Sequence, residues 1–303
     1  MAAPARRFMA FSRDWRDLAT TAAAIALLAA FWWLAVSASL GKSHTSDELP
    51  HLTAGYAFDR FGDFRMHPEN GVLPQRLFGL PALAADVRFP MDDLRWRHST
   101  YWQLGWDYFY ALNNPTDWLV LTARSLNALF GVALGLFIFF VGRAWFGRAG
   151  GLLALAFFAV SPQFLAHAGL ATSDLAAATM LTLAPWFFWR HLERRDVSSG
   201  LLAGLMSGLA LTAKFNGVLL APIYAVLALA DAWLRAGHPT DAMSARGRRF
   251  ALNLGLAAVQ GAASGGRTNW RISATIWREV KDAGVARENV DLAWGSRHYF
   301  RYP

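Results

Sequence analysis

The sequence predicts an all-α polytopic membrane protein, a bundle of about six transmembrane helices with a long polar loop after the first helix. Hydrophobic residues make up 55% of the 303 residues, which exceeds the usual apolar share of a soluble domain. They are grouped in blocks long enough to span a bilayer, which takes about 20 apolar residues. Short arginine clusters separate these blocks, as is typical of cytoplasmic loops.

The net charge of +8 is compatible with nucleic-acid binding or with membrane topology. Because the basic residues lie in short clusters between apolar blocks, we interpret the charge as topology and expect no nucleic-acid partner. The chain has no cysteine, which excludes disulfides, thiol nucleophiles and thiolate metal sites. We expect no cofactor. A divalent metal at His44, Asp47 and His51 is an open alternative, but their spacing matches no recognised metal motif.

Six apolar segments are predicted to cross the membrane. Arginines flank the first segment on its N-terminal side and follow the second, fourth and sixth segments, which places the N-terminus in the cytoplasm. The predicted spans are residues 18–40, 119–141, 149–168, 174–190, 200–213 and 216–234.

The loop of residues 41–117 is predicted to lie outside the cytoplasm. Residues 49–60 and 73–85 are expected to form short helices, the second with an apolar face suited to a membrane surface. Tryptophans such as Trp102 fit the membrane interface. Residues 1–250 form the predicted membrane domain, and we expect the tail of residues 251–303 to be a truncated or deleted remainder.

Two adjacent carboxylates, Asp47 and Glu48, follow the first predicted span directly. A carboxylate can act as a general base on an attacking hydroxyl, and one carboxylate suffices for an inverting, single-displacement sugar transfer. The alternative is structural, because Ser46 or Asp47 could cap the helix that begins near Glu48.

Two further charges are predicted at the same outer face. Asp174 begins the fourth span, where it could bind substrate or simply complement the helix dipole. Lys214 interrupts an apolar block, where it could bind a lipid phosphate or reach the interface by snorkelling.

Several motifs together resemble bacterial glycosyltransferase family 39, relatives of protein O-mannosyltransferases and of the lipid A aminoarabinose transferase. The resemblance covers residues 18–225 in order. Its motifs are Asp47-Glu48 with HLTAGY, GDFRMHPENG with LPQRLFGLPAL, Arg124-Ser-Leu-Asn127, Arg143-Ala-Trp-Phe-Gly-Arg148, SPQFLAHAGLATSD and GLMSGLALTAKFNGVLLAP.

The resemblance implies a GT-C fold and transfer of a sugar from a polyprenyl-phosphate carrier. It implies that Asp47 is the base with Glu48 beside it, that Asp174 contacts substrate, and that Lys214 faces the carrier phosphate. His67 and Glu69 are assigned to substrate binding, although Asn70-Gly-Val-Leu73 stands where the family often has His-Pro-Pro-Leu.

The expected location is the bacterial inner membrane, with several spans, a cytoplasmic N-terminus and a periplasmic active loop. The expected partners are the lipid-linked sugar donor, membrane lipids and an acceptor that is a lipid, a glycan or a protein. Two alternatives stay open, a catalytically inactive fragment of such an enzyme and a transporter or flippase of lipid-linked intermediates.

Overall fold

The computed structural model describes residues 15–235, and this part of the chain is helical, without a strand. Three helical segments in it are long and apolar enough to cross a membrane, Trp15–Ser37, Thr116–Ala159 and Phe215–Arg235. The predicted all-α membrane fold class is confirmed at this level. The predicted tail, residues 251–303, lies outside the described residues.

Ten α-helices follow one another along the described chain. The two short helices predicted in the polar loop, residues 49–60 and 73–85, are confirmed as α2 and α3. The helices are α1 (Trp15–Ser37), α2 (Glu48–Phe61), α3 (Val72–Leu83), α4 (Leu94–Arg97), α5 (Tyr101–Trp106), α6 (Thr116–Ala159), α7 (Pro162–Ala168), α8 (Ser173–Arg194), α9 (Val197–Ala213) and α10 (Leu220–Arg235).

Helix α6 is a hairpin of two helical arms that meet at Gly147. This glycine has φ +75° and ψ −170°, which is non-helical and suits a residue without a Cβ. A Cβ on Gly151 would lie 2.9 Å from the carbonyl oxygen of Phe139. In a straight helix residues twelve apart are about 18 Å apart, so the chain must reverse here. The first arm corresponds to the second predicted span, and the second arm together with α7 covers the third, residues 149–168.

The bundle core forms where α1 packs against both arms of α6. The Phe31 ring stacks near the Phe158 ring, with centroids 5.0 Å apart. A Cβ on Gly131 would lie 2.5 Å from Cε1 of Phe31, so the glycine leaves room for that ring. A second core joins α8, α9 and α10, where the rings of Phe188 and Tyr224 are stacked at 4.0 Å.

Ion pairs between helices lie at one end of the bundle, here called the basic end. Asp17 accepts bonds of 2.7 Å from both Arg143 and Arg148. Arg195, directly after α8, donates to Asp231 at 3.1 Å. The 22 residues of α8 separate this end from the start of that helix by about 33 Å. The opposite end carries α2, α3 and the turns before α8 and after α9.

Helices α2 and α3 form a tight antiparallel pair at this opposite end. A Cβ on Gly55 would lie 1.9 Å from the carbonyl oxygen of Gln75, and one on Gly79 would lie 2.2 Å from the carbonyl carbon of Gly55. The two backbones are therefore in direct contact, which only glycine permits. This contact fixes the position of the start of α2 relative to the turn before α3.

Candidate active site

A polar cavity of about 170 Å³ lies at the end of the bundle opposite the basic end. Five of the six predicted site residues line it, whereas Glu48 does not. The walls come from α2, α5, the turn before α3, the start of α8 and the end of α9. The lining residues are Asp47, His51, His67, Glu69, Asn70, Tyr101, Trp102, Thr172, Ser173, Asp174 and Lys214.

Asp47 occupies the N-cap position of α2 but does not act as a capping side chain. Its backbone is helical, with φ −69° and ψ −26°, and its carboxylate makes no capping hydrogen bond. The side chain of Glu48 instead accepts the backbone N–H of Thr45 at 2.8 Å. The exposed Asp47 carboxylate is thus available at the cavity wall.

Glu48 lies behind the cavity and is fully buried, with 0% exposure. Its carboxylate accepts two bonds of 2.8 Å from Arg124 and one of 2.8 Å from the N–H of Ala171. Burial raises the pKa of Glu48, but the hydrogen bonds from Arg124, Ala171 and Thr45 outweigh burial and lower that pKa below its ordinary value. The carboxylate therefore stays ionised, and its predicted catalytic role stays a prediction.

Arg124 connects Glu48 to the chain segment that leads into α2. The guanidinium donates to the carbonyls of Ser39, Lys42 and Ser43 at 3.0–3.2 Å. This residue belongs to a family-like motif, but we assigned it no role from the sequence. The sequence does contain a signal for a structural role of Arg124, because an arginine near the end of an apolar span needs a buried partner.

Asp174 and Lys214 form an ion pair at the cavity wall, with Nζ 2.5 Å from Oδ1. Asp174 lies in the first turn of α8, where its charge also complements the helix dipole. Lys214 caps the C-terminal end of α9 with an extended backbone, φ −163° and ψ 154°. The two residues predicted to meet at one face are thus in direct contact.

Gly71 brings the turn before α3 against the end of α9. Its φ is +65°, and a Cβ there would lie 2.3 Å from the carbonyl oxygen of Ala213 and 2.6 Å from that of Thr212. Both the conformation and the space require glycine. The contact places Lys214 beside the turn that carries His67 and Glu69.

His67 has a left-handed backbone, with φ 49° and ψ 47°, which is uncommon for a residue other than glycine. Asn70 donates to its Nε2 at 2.7 Å, and Asn70 accepts from the hydroxyl of Ser173 at 3.0 Å. Glu69 accepts from the hydroxyl of Tyr101 at 2.8 Å. The turn is therefore bonded to both α5 and α8 across the cavity.

A buried pair of histidines forms another part of the cavity wall. The rings of His51 and His67 meet edge to face, with centroids 4.6 Å apart. Burial lowers the pKa of His51 well below its ordinary value, and His67 and Lys214 lower it further. Burial also lowers the pKa of His67, although Glu69 and Asp47 oppose the shift. Both rings are neutral near pH 7.

Within residues 15–235, no three His, Cys, Asp or Glu side chains are grouped closely enough to hold a metal ion. His44, one of the three residues considered for a metal, packs its ring against Phe109 and Tyr110, with centroids 5.1 and 5.0 Å away.

Two aromatic residues of the cavity, Tyr101 and Trp102, were not assigned to a site from the sequence. We interpreted Trp102 as an interfacial tryptophan. The sequence signal that identifies them is weak, because tryptophans are common across the whole polar loop. Only the position of α5 beside the turn before α3 brings them to the cavity.

Residues 108–243 match the family described as dolichyl-phosphate-mannose-protein mannosyltransferase. The resemblance noted from the sequence is confirmed for this part of the chain. The matched range includes Arg124, Asp174 and Lys214, whereas Asp47 and the turn that carries His67 precede it. No curated protein and no solved structure matches the chain.

Proposed function

Because residues 108–243 carry a domain of the dolichyl-phosphate-mannose-protein mannosyltransferase family, we propose that the protein is a membrane glycosyltransferase. It takes a sugar from a polyprenyl-phosphate carrier and transfers it to an acceptor in the polar cavity. One observation carries the proposal: an exposed carboxylate, Asp47, and the ion pair Asp174–Lys214 line the same cavity at the end of an apolar bundle.

Lys214 is the group that receives the donor phosphate. It ends the apolar helix α9 and lines the cavity, so a carrier whose chain lies in the bilayer can present its phosphate there. An ammonium in a partly desolvated site attracts an anion several-fold more strongly than in water. Lys214 also stabilises the negative charge that builds on the phosphate as it leaves.

Asp47 is the proposed base. It takes the proton from the acceptor hydroxyl or amine while the acceptor atom forms a bond to the anomeric carbon of the sugar. The bond between that carbon and the phosphate oxygen breaks, and its electron pair stays on the phosphate. A single displacement of this kind inverts the anomeric configuration and needs one carboxylate on the acceptor side.

The size and lining of the cavity favour one sugar ring as the group that is transferred. Its volume of about 170 Å³ is below the range of roughly 300–1,000 Å³ that is typical of drug-sized ligands. Trp102 and Tyr101 offer aromatic surface to the apolar face of a sugar. Glu69 and the neutral rings of His51 and His67 offer polar atoms to its hydroxyl groups.

The proposed topology has six spans, with the basic end in the cytoplasm and the cavity at the periplasmic face. The arginines at the basic end support this orientation. The six spans are α1, the two arms of α6, α8, α9 and α10. Residues 1–250 are then the membrane domain, and residues 41–117 are the outer loop that bears the base.

An assay with labelled sugar donor in liposomes distinguishes a glycosyltransferase from a flippase and from an inactive fragment. Liposomes containing the protein receive polyprenyl-phosphate sugar carrying a radiolabelled sugar, together with a bacterial membrane extract as the source of acceptor. The proposal predicts that label moves to a product without the polyprenyl chain. Movement of intact donor between leaflets would indicate a flippase, and unchanged donor would indicate an inactive fragment. Either result contradicts the proposal.

A further inference from the structure

Asp174 faces two possible partners, of which only one is engaged. Its Oδ1 lies 2.5 Å from Nζ of Lys214, while its Oδ2 lies 3.9 Å from Nδ1 of His167. The first distance is a charge-assisted hydrogen bond, and the second is about 1 Å too long for one. A shift of Oδ2 by about 1 Å towards His167 would close the second gap.

The Nδ1 atom of His167 is a donor that lacks an acceptor. The side-chain amide nitrogen of Gln163 lies 2.9 Å from Nε2 of His167 and donates to it, so Nε2 is an acceptor and Nδ1 carries a proton. Within residues 15–235, this buried Nδ1 has no hydrogen-bond partner. A buried N–H without an acceptor is unfavourable, and the nearby acceptor is Oδ2 of Asp174.

Hydrogen bonds from Asn127 hold the backbone at His167 in place. The side chain of Asn127 donates to the carbonyl oxygen of His167 at 2.9 Å and to that of Leu170 at 2.6 Å. Asn127 itself is fully buried on α6. Asn127 thus fixes the backbone, and the bond from Gln163 to Nε2 holds the ring, so movement of the Asp174 carboxylate is what would join the two.

A phosphate that binds Lys214 must compete with Asp174 for the same ammonium. The cavity already carries the carboxylates of Asp47, Glu69 and Asp174 against one lysine. A phosphate placed beside an unpartnered Asp174 would meet a like charge at short range. Phosphate binding to Lys214 is therefore favoured by any group that forms a hydrogen bond with the Asp174 carboxylate in place of Lys214.

We propose that Asp174 is a two-position carboxylate that pairs with Lys214 when the cavity is empty and with Nδ1–H of His167 when a lipid phosphate takes Lys214. His167 is then a positioning residue, which acts on the phosphate through Asp174. This inference rests on the proposed function of Lys214 as the phosphate-binding group.

The experiment measures binding of undecaprenyl phosphate to the full chain in nanodiscs. His167→Phe removes the Nδ1 donor and should weaken binding about tenfold, the effect of one hydrogen bond to a charged group. His167→Asn carries an amide nitrogen near the position of Nδ1 and should restore most of the affinity. His167→Gln carries its amide near the position of Nε2 and should not restore it.

A double-mutant cycle separates this role from simple packing. In Asp174→Ala both the charge and the acceptor are gone, so adding His167→Phe should change the affinity no further. An equal loss in both backgrounds, or wild-type affinity in His167→Phe, overturns the inference. Wild-type affinity in Lys214→Ala instead overturns the proposed function on which it rests.

Discussion

Glu48 and Arg124, which are 76 residues apart in the chain, form a buried ion pair with two hydrogen bonds of 2.8 Å. Their side chains are 0% and 2% exposed. Through Ala171, the pair joins the start of α2 to the turn that precedes α8. Asp47 adjoins the start of α2, and Asp174 adjoins the turn before α8. The ion pair therefore determines the relative positions of these two carboxylates across the cavity.

Replacing Arg124 with leucine should destabilise the protein strongly. The change leaves the Glu48 carboxylate buried without its partner, which typically costs about 3–5 kcal/mol of unfolding free energy. Chemical unfolding in mixed micelles measures this loss. The control is Arg60→Leu, an exposed arginine of α2, for which we expect a change within about 0.5 kcal/mol. Similar effects of the two substitutions would contradict the structural role of the ion pair.

Replacing Gly71 with alanine tests the contact between the turn before α3 and the end of α9. The backbone of Gly71, with φ +65° and ψ 136°, costs an alanine about 1–3 kcal/mol, and the clash with the carbonyl of Ala213 adds to it. We expect a lower melting temperature and weaker binding of undecaprenyl phosphate, because Lys214 follows Ala213.

Gly62 supplies a control for that substitution, since it also has a φ of +65° but has open space around its Cβ position. Its ψ of 20° is in the αL region, whereas the ψ of Gly71 is 136°. Gly62→Ala should therefore show only the smaller cost of an αL alanine, with unchanged phosphate binding. Equal losses of stability in the two variants would mean that the backbone contact at Gly71 contributes nothing.

The buried histidines predict how stability changes with pH. Burial lowers the pKa of His51 and of His67 below the ordinary value. Below about pH 6.5 the unfolded chain therefore binds protons that the folded protein does not. The contribution of these pKa shifts to the free energy of unfolding is fully present above that pH. It is lost as the pH falls towards the folded pKa values, by at most about 1.4 kcal/mol per pH unit for each histidine.

The measurement is the melting temperature of the protein in detergent between pH 7.5 and pH 5. His51→Gln should flatten the decline on the acid side, because one of the two buried imidazoles is gone. His98→Gln removes an exposed histidine from the same loop and should leave the slope unchanged. If stability rose as the pH fell through this window, the assigned direction of both pKa shifts would be wrong.

Much of the fold could be predicted from the sequence because hydropathy and charge determine how deep a residue lies in a membrane. Apolar block lengths located the helices of the bundle, and helical spacing located α2 and α3. The same reasoning put Asp47, Asp174 and Lys214 at one end, and the structure places all three along one cavity.

Hydropathy does not determine which helices are neighbours at a given depth, and this is where prediction failed. The pairing of Asp174 with Lys214 depends on α8 lying beside α9. The partner of Arg124 depends on how α6 faces the start of α2, so the sequence could not show that Glu48, assigned to the catalytic pair with Asp47, lies behind the cavity wall. The meeting of His51 and His67 depends on the glycine contact between α2 and α3.

The central claim is that Asp47 is the base of a sugar transfer in this cavity, and the rate of transfer by Asp47→Asn tests it most directly. Asparagine keeps the shape of the side chain but cannot accept the proton. We expect the rate of sugar release from labelled polyprenyl-phosphate donor to fall by about 10²–10⁴-fold, with unchanged melting temperature. Asp86→Asn, at an exposed aspartate outside the cavity, should transfer at the wild-type rate. Transfer by Asp47→Asn at the wild-type rate would contradict the account.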